Sequence, residues 1–368
     1  MKYYIIAGEA SGDLHGSNLV RELKTLDTTA GIQAWGGDLM QAAGARIVKH
    51  YRDLAFMGFT EVIRNLPTIL SNLKFCKKDI LAFQPDVLVL IDYPGFNLRI
   101  ARWAHEQGLR IIYYISPQVW AWKEGRVRSI KKVVDKMLVI LPFEKEFYRQ
   151  WAYDVVYVGH PLVQVVNEFL ERHESNGPKN IIALLPGSRR QEVSKKLPLM
   201  LEATRSFPNE KFMVAKAGSL EDDFYEGFLK DYPNVGSARH QTYALLAGAK
   251  AALVTSGTAT LETALFGVPE VVCYKGSAVS YQIAKRLISI KYISLVNLIM
   301  DKPVVTELIQ NELTPANIVR ELDALLHDAN KQAQINEDYA ALKRLLQQES
   351  NASARAAEEI VGFVQSTF

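Results

Sequence analysis

Five consecutive apolar residues, Val87-Leu88-Val89-Leu90-Ile91, run straight into a carboxylate, Asp92. A strand with water on one face alternates polar and apolar side chains. A run that is apolar at every position therefore belongs to a strand covered on both faces, as in a parallel sheet layered between helices. The same kind of short β-branched or aromatic run recurs at residues 3–7, 110–115, 136–140 and 155–158. Stretches of helical period at 14–26, 61–83 and 97–107 lie between these runs. Residues 168–180 are polar and carry Gly177-Pro178, which reads as a linker. The pattern then restarts, with strands expected at 181–185, 211–215, 251–255 and 270–274 and helices at 192–204 and 258–266; from Thr314 onward the chain reads as helix.

The expected fold class is α/β, with two Rossmann-like, doubly wound parallel-sheet domains facing a cleft. The first spans residues 1–167 and the second 178–345; a final helical segment, 346–368, has the option of packing back on the first. A length of 368 residues agrees with two domains. With 48% hydrophobic and 23% charged residues, the composition excludes disorder and a multi-spanning membrane protein, and no apolar run approaches the roughly 20 residues that a spanning helix needs. A formal net charge of +3 argues against a dedicated nucleic-acid binder. The N-terminus enters its first strand directly and meets Glu9 and Asp13 soon after, which does not resemble a secretion signal. Cys76 and Cys273 stand far apart without a paired motif, which fits reduced thiols in a cytoplasm. There is no D-x-D or H-E-x-x-H, and the seven histidines lack ligand spacing, so neither a metal nor a cofactor is expected.

Ligands of doubly wound folds bind at the carboxyl ends of the strands, so the strand-to-helix turns carry the candidate chemistry. Gly8-Glu9-Ala10-Ser11-Gly12-Asp13 follows the first strand; its small residues permit close approach of a ligand, while its bland reading is a turn capped by Asp13. It is not a dinucleotide fingerprint. Asp92 ends a wholly apolar strand, where a carboxylate must be paired, hydrogen-bonded or raised in pKa, and the last is what a general base near neutrality requires. In the second domain, Leu185-Pro186-Gly187-Ser188-Arg189 reads as a strand end and tight loop before a helix N-terminus. That arrangement suits an anion, and Arg189 adds a planar donor fork; an exposed basic loop is the alternative. Ser256-Gly257-Thr258 repeats the design, with Glu262 one turn into the helix, where it either accepts ribose hydroxyls or complements the helix dipole.

Two segments are candidates for a membrane surface. One holds Phe56, Met57 and Phe59 within residues 54–78; the other places Trp120 and Trp122 beside Arg126, Arg128, Lys131 and Lys132. Ordinary core stripes have the same spacing.

In order along the chain stand A-G-E-A-S-G-D (7–13), L-A-F-M-G-F-T-E-V (54–62), P-D-V-L-V-L-I-D-Y-P-G-F-N (85–97) and Y-I-S-P-Q-V-W-A-W (114–122). L-P-F-E-K-E-F-Y (141–148), V-G-H-P-L (158–162), L-L-P-G-S-R-R-Q-E-V (184–193), S-G-T-A-T-L-E (256–262) and A-K-R-L-I-S-I-K-Y-I-S-L-V-N-L (284–298) follow. Taken together, this set resembles the lipid-A-disaccharide synthases, inverting glycosyltransferases of the two-lobed GT-B type, over almost the whole chain. The resemblance implies transfer of 2,3-diacylglucosamine from UDP to the 6-hydroxyl of 2,3-diacylglucosamine 1-phosphate, giving a β-1,6 disaccharide and UDP. It implies Asp92 or Asp13 as catalytic base, with Glu9 and Ser11 on the acceptor side. Gly187, Ser188, Arg189, Ser256, Gly257, Thr258, Glu262 and Asn297 would hold UDP. Where the family often has P-D-F-N, this chain has Pro94-Gly95-Phe96-Asn97, one carboxylate fewer. The implied partners are the lipid-linked UDP-sugar, the acyl-glucosamine phosphate, an anionic inner-membrane surface on the cytoplasmic side, and optionally a second copy of the chain as a homodimer. Other UDP-sugar enzymes of the same shape, such as UDP-N-acetylglucosamine epimerases or the transferase making lipid II, and a glycolipid-binding protein without chemistry, are the rival readings.

Overall fold

The apolar pentad forms a strand in which Val87 through Ile91 are all buried. At roughly 1.5–3 kcal/mol per large apolar side chain, those five residues are a major contribution to the core of their unit. The computed structural model describes residues 1–54, 66–122, 124–173, 179–277, 281, 291–347 and 351–366. The chain divides into two compact units, residues 1–161 with 347–368, and residues 162–346.

The first unit is built on seven strands: β1 (Lys2–Ala7), β2 (Gly31–Gly36), β3 (Arg46–His50), β4 (Val87–Ile91), β5 (Ile111–Tyr114), β6 (Lys136–Val139) and β7 (Val156–Tyr157). They lie in the order β3-β2-β1-β4-β5-β6-β7, every pair parallel. The chain therefore winds outward from β1 in one direction, returns, and winds outward from β4 in the other. The reversal lies between β1 and β4, and the register aligns Tyr3 with Val87 and Ala7 with Ile91, so both strands stop at the same level. Gly8-Glu9 and Asp92 thus leave the sheet side by side. One face of this sheet packs Tyr4, Ile6, Leu88, Leu90 and Tyr113 against Ile80, Ile100 and Ala104 of the Leu66–Phe83 and Pro94–Glu106 helices.

The Ala352–Gln365 helix belongs to this unit and packs on the Ala10–Leu26 helix, burying Ala356, Ala357, Ile360 and Val364. Asn351 caps it, accepting from the Ala354 N–H at 2.7 Å, and Lys136 pairs with Glu359 at 2.5 Å. Arg110 donates to the Val364 carbonyl at 3.1 Å, which fixes its far end.

The second unit contains β8 (Ile181–Leu185), β9 (Lys211–Lys216), β10 (Val235–Arg239), β11 (Ala249–Thr255), β12 (Glu270–Tyr274) and β13 (Thr306–Ile309), in the order β10-β9-β8-β11-β12-β13 and again wholly parallel. Its reversal lies between β8 and β11, where Leu185 pairs with Val254. The fold is thus α/β, with two Rossmann-like parallel sheets, and each has a single switch point of the kind at which doubly wound proteins bind ligands.

Candidate active site

At the first switch point the backbone is held in an unusual shape. Asp92 and Tyr93 both adopt left-handed φ, +43° and +50°, which costs about 1 kcal/mol or more per residue outside glycine and persists only where neighbours enforce it. Two buried groups do so. The carboxamide of Asn97, fully buried, donates to the carbonyls of Asp92 (2.8 Å), Ile91 (3.1 Å) and Ile6 (3.3 Å), tying the end of β4 to β1. The Tyr113 hydroxyl donates to the same Asp92 carbonyl at 2.6 Å. The turn aims the Tyr93 ring at Gly8, where an added Cβ would lie 2.3 Å from a ring carbon, so only glycine fits there.

Asp92 is half-buried, and its carboxyl is pushed up to about 6, first by burial and then by repulsion from the nearby Glu9 carboxylate; a hydrogen bond from the Tyr93 backbone opposes the shift. A carboxylate titrating there is largely ionised at neutral pH yet basic enough to accept a proton in a transition state. Asp13 has another occupation. It is 2% exposed, and its two oxygens accept the N–H groups of Gly37 (2.7 Å), Leu39 (3.1 Å) and Met40 (3.1 Å), capping the Asp38–Ala42 helix. A carboxylate so engaged holds the turn after β2 in place. Glu9 is half-buried and precedes the Ala10–Leu26 helix, where Ser11 is exposed in the first turn. Gly95 is exposed, and the space its Cβ would occupy is open.

At the second switch point, both loops singled out in the sequence line one cavity of about 460 Å³. Gly187, Ser188 and Arg189 come from the end of β8, and Thr255, Ser256, Gly257, Thr258 and Glu262 from the end of β11 and the helix after it. The turns at Gly187 (φ +123°) and Gly257 (φ +122°) need glycine, and the space beside Gly257 is open. Two helices, Arg190–Thr204 and Thr258–Leu265, start at this cavity, so their first N–H groups and positive dipole ends converge on it. Glu192 was not among the expected site residues. Its carboxylate accepts the Ser188 N–H at 3.3 Å and lies 3.7 Å from Arg189, standing where an incoming anion would compete for the same donors. The Glu262 carboxyl is raised above its ordinary range by burial; the Tyr243 hydroxyl donates to it at 2.7 Å, with the Tyr243 ring packed against Phe169 and Phe266.

Asn297 is not part of this cavity. It is 1% exposed, and its carboxamide is spent on the backbone of Val305, accepting the N–H and donating to the carbonyl, both at 2.9 Å, with a further bond to Glu307 at 3.0 Å. It lines a separate cavity with Glu307 and Asp338, so the structure gives it a bracing role between the Leu295–Met300 helix and the approach to β13.

Trp120 also departs from expectation. Rather than facing a bilayer it is 9% exposed, edge-on to Phe143 at 4.9 Å, beside the buried Glu144, whose oxygens accept from Ser116 Oγ (2.5 Å) and the Leu141 N–H (2.9 Å). Arg126, Arg128, Lys131 and Lys132 are exposed; Arg128 lies over the Trp151 ring, and the Lys131 ammonium donates to the carbonyls of Trp151 and Ala152. Phe56, Met57 and Phe59, and the side chain of Trp122, lie outside the described residues. Among the described residues no cluster of three or more His, Cys, Asp or Glu is placed to hold a metal ion, and no helix is long and apolar enough to cross a membrane.

A family model described as lipid-A-disaccharide synthetase matches residues 3–361. The chain is 42% identical to the lipid-A-disaccharide synthase of Syntrophus aciditrophicus over 351 residues, 92% of each chain, and 37% identical to that of Coxiella burnetii over 98% of each. The chain belongs to the lipid-A-disaccharide synthase family. It is accordingly a glycosyltransferase of lipid A biosynthesis. Among solved structures, it resembles the glycotransferase of kitacinnamycin (TM-score 0.68, 14% identity, 99% of both chains) and a UDP-GlcNAc 2-epimerase from Neisseria meningitidis (TM-score 0.65, 13% identity, 100% of both). At that identity the likeness is one of fold, and a transferase and an epimerase share it. Sequence kinship over the full chain, not shape, is what separates the synthases from the epimerases here.

Proposed function

We propose that the chain transfers 2,3-diacylglucosamine from its UDP conjugate to the 6-hydroxyl of 2,3-diacylglucosamine 1-phosphate, inverting the anomeric centre. The observation that carries the nucleotide half is the convergence of the Gly187 and Ser256 loops on one cavity with two helix N-termini, Arg189 and a buried carboxyl at Glu262. In this reading the diphosphate displaces Glu192 from the Ser188 N–H and Arg189, and Glu262, oriented by Tyr243, accepts the ribose hydroxyls. The acceptor half is carried by Asp92. As the acceptor oxygen bonds to the anomeric carbon and the bond to UDP breaks, Asp92 takes the hydroxyl proton, while Arg189 and the loop amides stabilise the charge gathering on the departing diphosphate. With Asp13 engaged as a helix cap and Gly95 bearing no carboxylate, Asp92 serves as the base alone.

Both substrates carry fatty chains, so the enzyme works at the cytoplasmic surface of an anionic membrane. The Leu66–Phe83 helix supports this with Leu70 57% exposed and Phe75 46% exposed, and the exposed basic residues 126–132 add an electrostatic contact. The test is to incubate the purified chain with UDP-diacylglucosamine and diacylglucosamine 1-phosphate and follow products by mass. A disaccharide 1-phosphate formed in step with UDP supports the proposal. UDP released without disaccharide, or an epimerised donor, would overturn it.

A further inference from the structure

Within Ser194-Lys195-Lys196, the Arg190–Thr204 helix turns Ser194 and Lys195 to water and Lys196 away from it. Lys196 is 2% exposed. Its ammonium donates to Thr255 Oγ1, and among the described residues no carboxylate lies within ion-pair distance of it. A buried lysine whose contact is a neutral hydroxyl is costly, since burial favours loss of its charge, and its pKa is accordingly lowered. What lies in front of it gives that cost a use. Thr255 ends β11 and lines the cavity between the Gly187 and Ser256 loops, and Glu192 and Arg189, from the same cavity wall, are close enough to act on Lys196 electrostatically. A hydroxyl whose oxygen accepts from an ammonium keeps its own proton to donate, and among the described residues the Thr255 side chain makes no other hydrogen bond.

We infer that Lys196 is a positioning residue for the phosphates of a nucleoside diphosphate: from behind the cavity wall it supplies positive charge and orients the Thr255 hydroxyl to donate into the cavity. This rests on the reading that the second unit holds UDP. Lys196 does not touch the ligand; it acts through Thr255 and through a field that water screens little at such depth. The arrangement favours phosphate and is indifferent to the nucleoside.

The test is titration of UDP and of uridine into the full-length chain and into Lys196→Gln and Lys196→Met, with folding checked by circular dichroism. Uridine affinity is expected to stay within about twofold of wild type, while UDP affinity falls about tenfold or more. In Lys196→Arg, which keeps the charge, UDP affinity should be retained within about threefold. Thr255→Val should also weaken UDP, and its effect combined with Lys196→Gln should be less than the product of the two singly, because both variants break one relay. Unchanged UDP affinity in Lys196→Gln, equal losses for UDP and uridine, or a loss in the Arg variant as large as in the Gln variant would each overturn the inference. Arg189→Gln in the same series separates this from the parent reading. If UDP affinity ignores Arg189 too, it is the location of the nucleotide that fails; if it depends on Arg189 but not on Lys196, only the present inference does.

Discussion

Replacing Asp92 by Asn should sharply lower turnover and stabilise the fold at the same time. Burial and Glu9 move the Asp92 carboxyl from an ordinary 3.8 to about 6, roughly a hundredfold change in its acid dissociation constant and equivalent to about 3 kcal/mol of opposition to the ionised form. Because Asp92 is only half-buried, solvent screening reduces that figure, and about 1–2 kcal/mol is the working value. The sign follows from proton binding. Between about pH 4 and pH 6 the folded chain holds this proton more tightly than the unfolded chain, so wild-type stability falls as pH rises through that window and stays lowered above it. Asn carries no charge to desolvate. Urea denaturation should therefore find Asp92→Asn about 1–2 kcal/mol more stable than wild type at pH 8 and nearly equal to it at pH 4. Turnover should drop by about 100-fold to 10,000-fold, UDP affinity should hold within about twofold, and the wild-type kcat/KM should climb through pH 6 to a plateau. A variant that is no more stable at pH 8 would show that the carboxyl is not strained by its setting, and one that keeps its turnover would remove Asp92 as the base.

Two further outcomes follow from the geometry. Asn97→Ala strips three carbonyls of their shared donor and should cost about 2–3 kcal/mol in urea denaturation while lowering kcat with UDP affinity unchanged, since only the first switch point is disturbed; equal loss of UDP binding would contradict this. Lys132→Glu should weaken flotation with anionic vesicles in a salt-dependent way and leave stability within about 0.5 kcal/mol, whereas Lys131, tied to two carbonyls, is the poorer site for that test; vesicle binding indifferent to Lys132 would count against a basic membrane contact.

Much of the sheet architecture was legible because central parallel strands are apolar throughout, as at residues 87–91, 181–185 and 251–254. The strands that sequence reading passed over have physical excuses. β3, β10 and β13 lie at sheet edges and are half-exposed, so their residues are mixed in polarity. β2 is interior yet runs Gly-Ile-Gln-Ala-Trp-Gly, with the buried Gln33 donating to the distant Asp79 at 2.7 Å. The candidate site divides the same way. Strand-end motifs could be found because chain order fixes where strands end, and the Gly187 and Ser256 loops indeed share one cavity. Where a side chain points depends on partners far along the chain. Trp120 at an aromatic, basic segment looks the same whether it faces lipid or Phe143, Asp13 reads equally as a cap or as a catalytic acid until Gly37 and Met40 fold against it, and Asn297 looks free until Val305 folds beside it. Lys196 is distinguishable from Lys195 only by helical phase.

The central claim is that a nucleoside diphosphate occupies the cavity at the second switch point. A crystal structure of the chain with UDP tests it most directly. The account predicts density for the diphosphate against the amides of Ser188 and Gly257 and the Arg189 guanidinium, with the ribose at Glu262 and Glu192 displaced from the Ser188 N–H. UDP bound elsewhere, or bound there with Glu192 still holding Ser188 and the ribose away from Glu262, would contradict it.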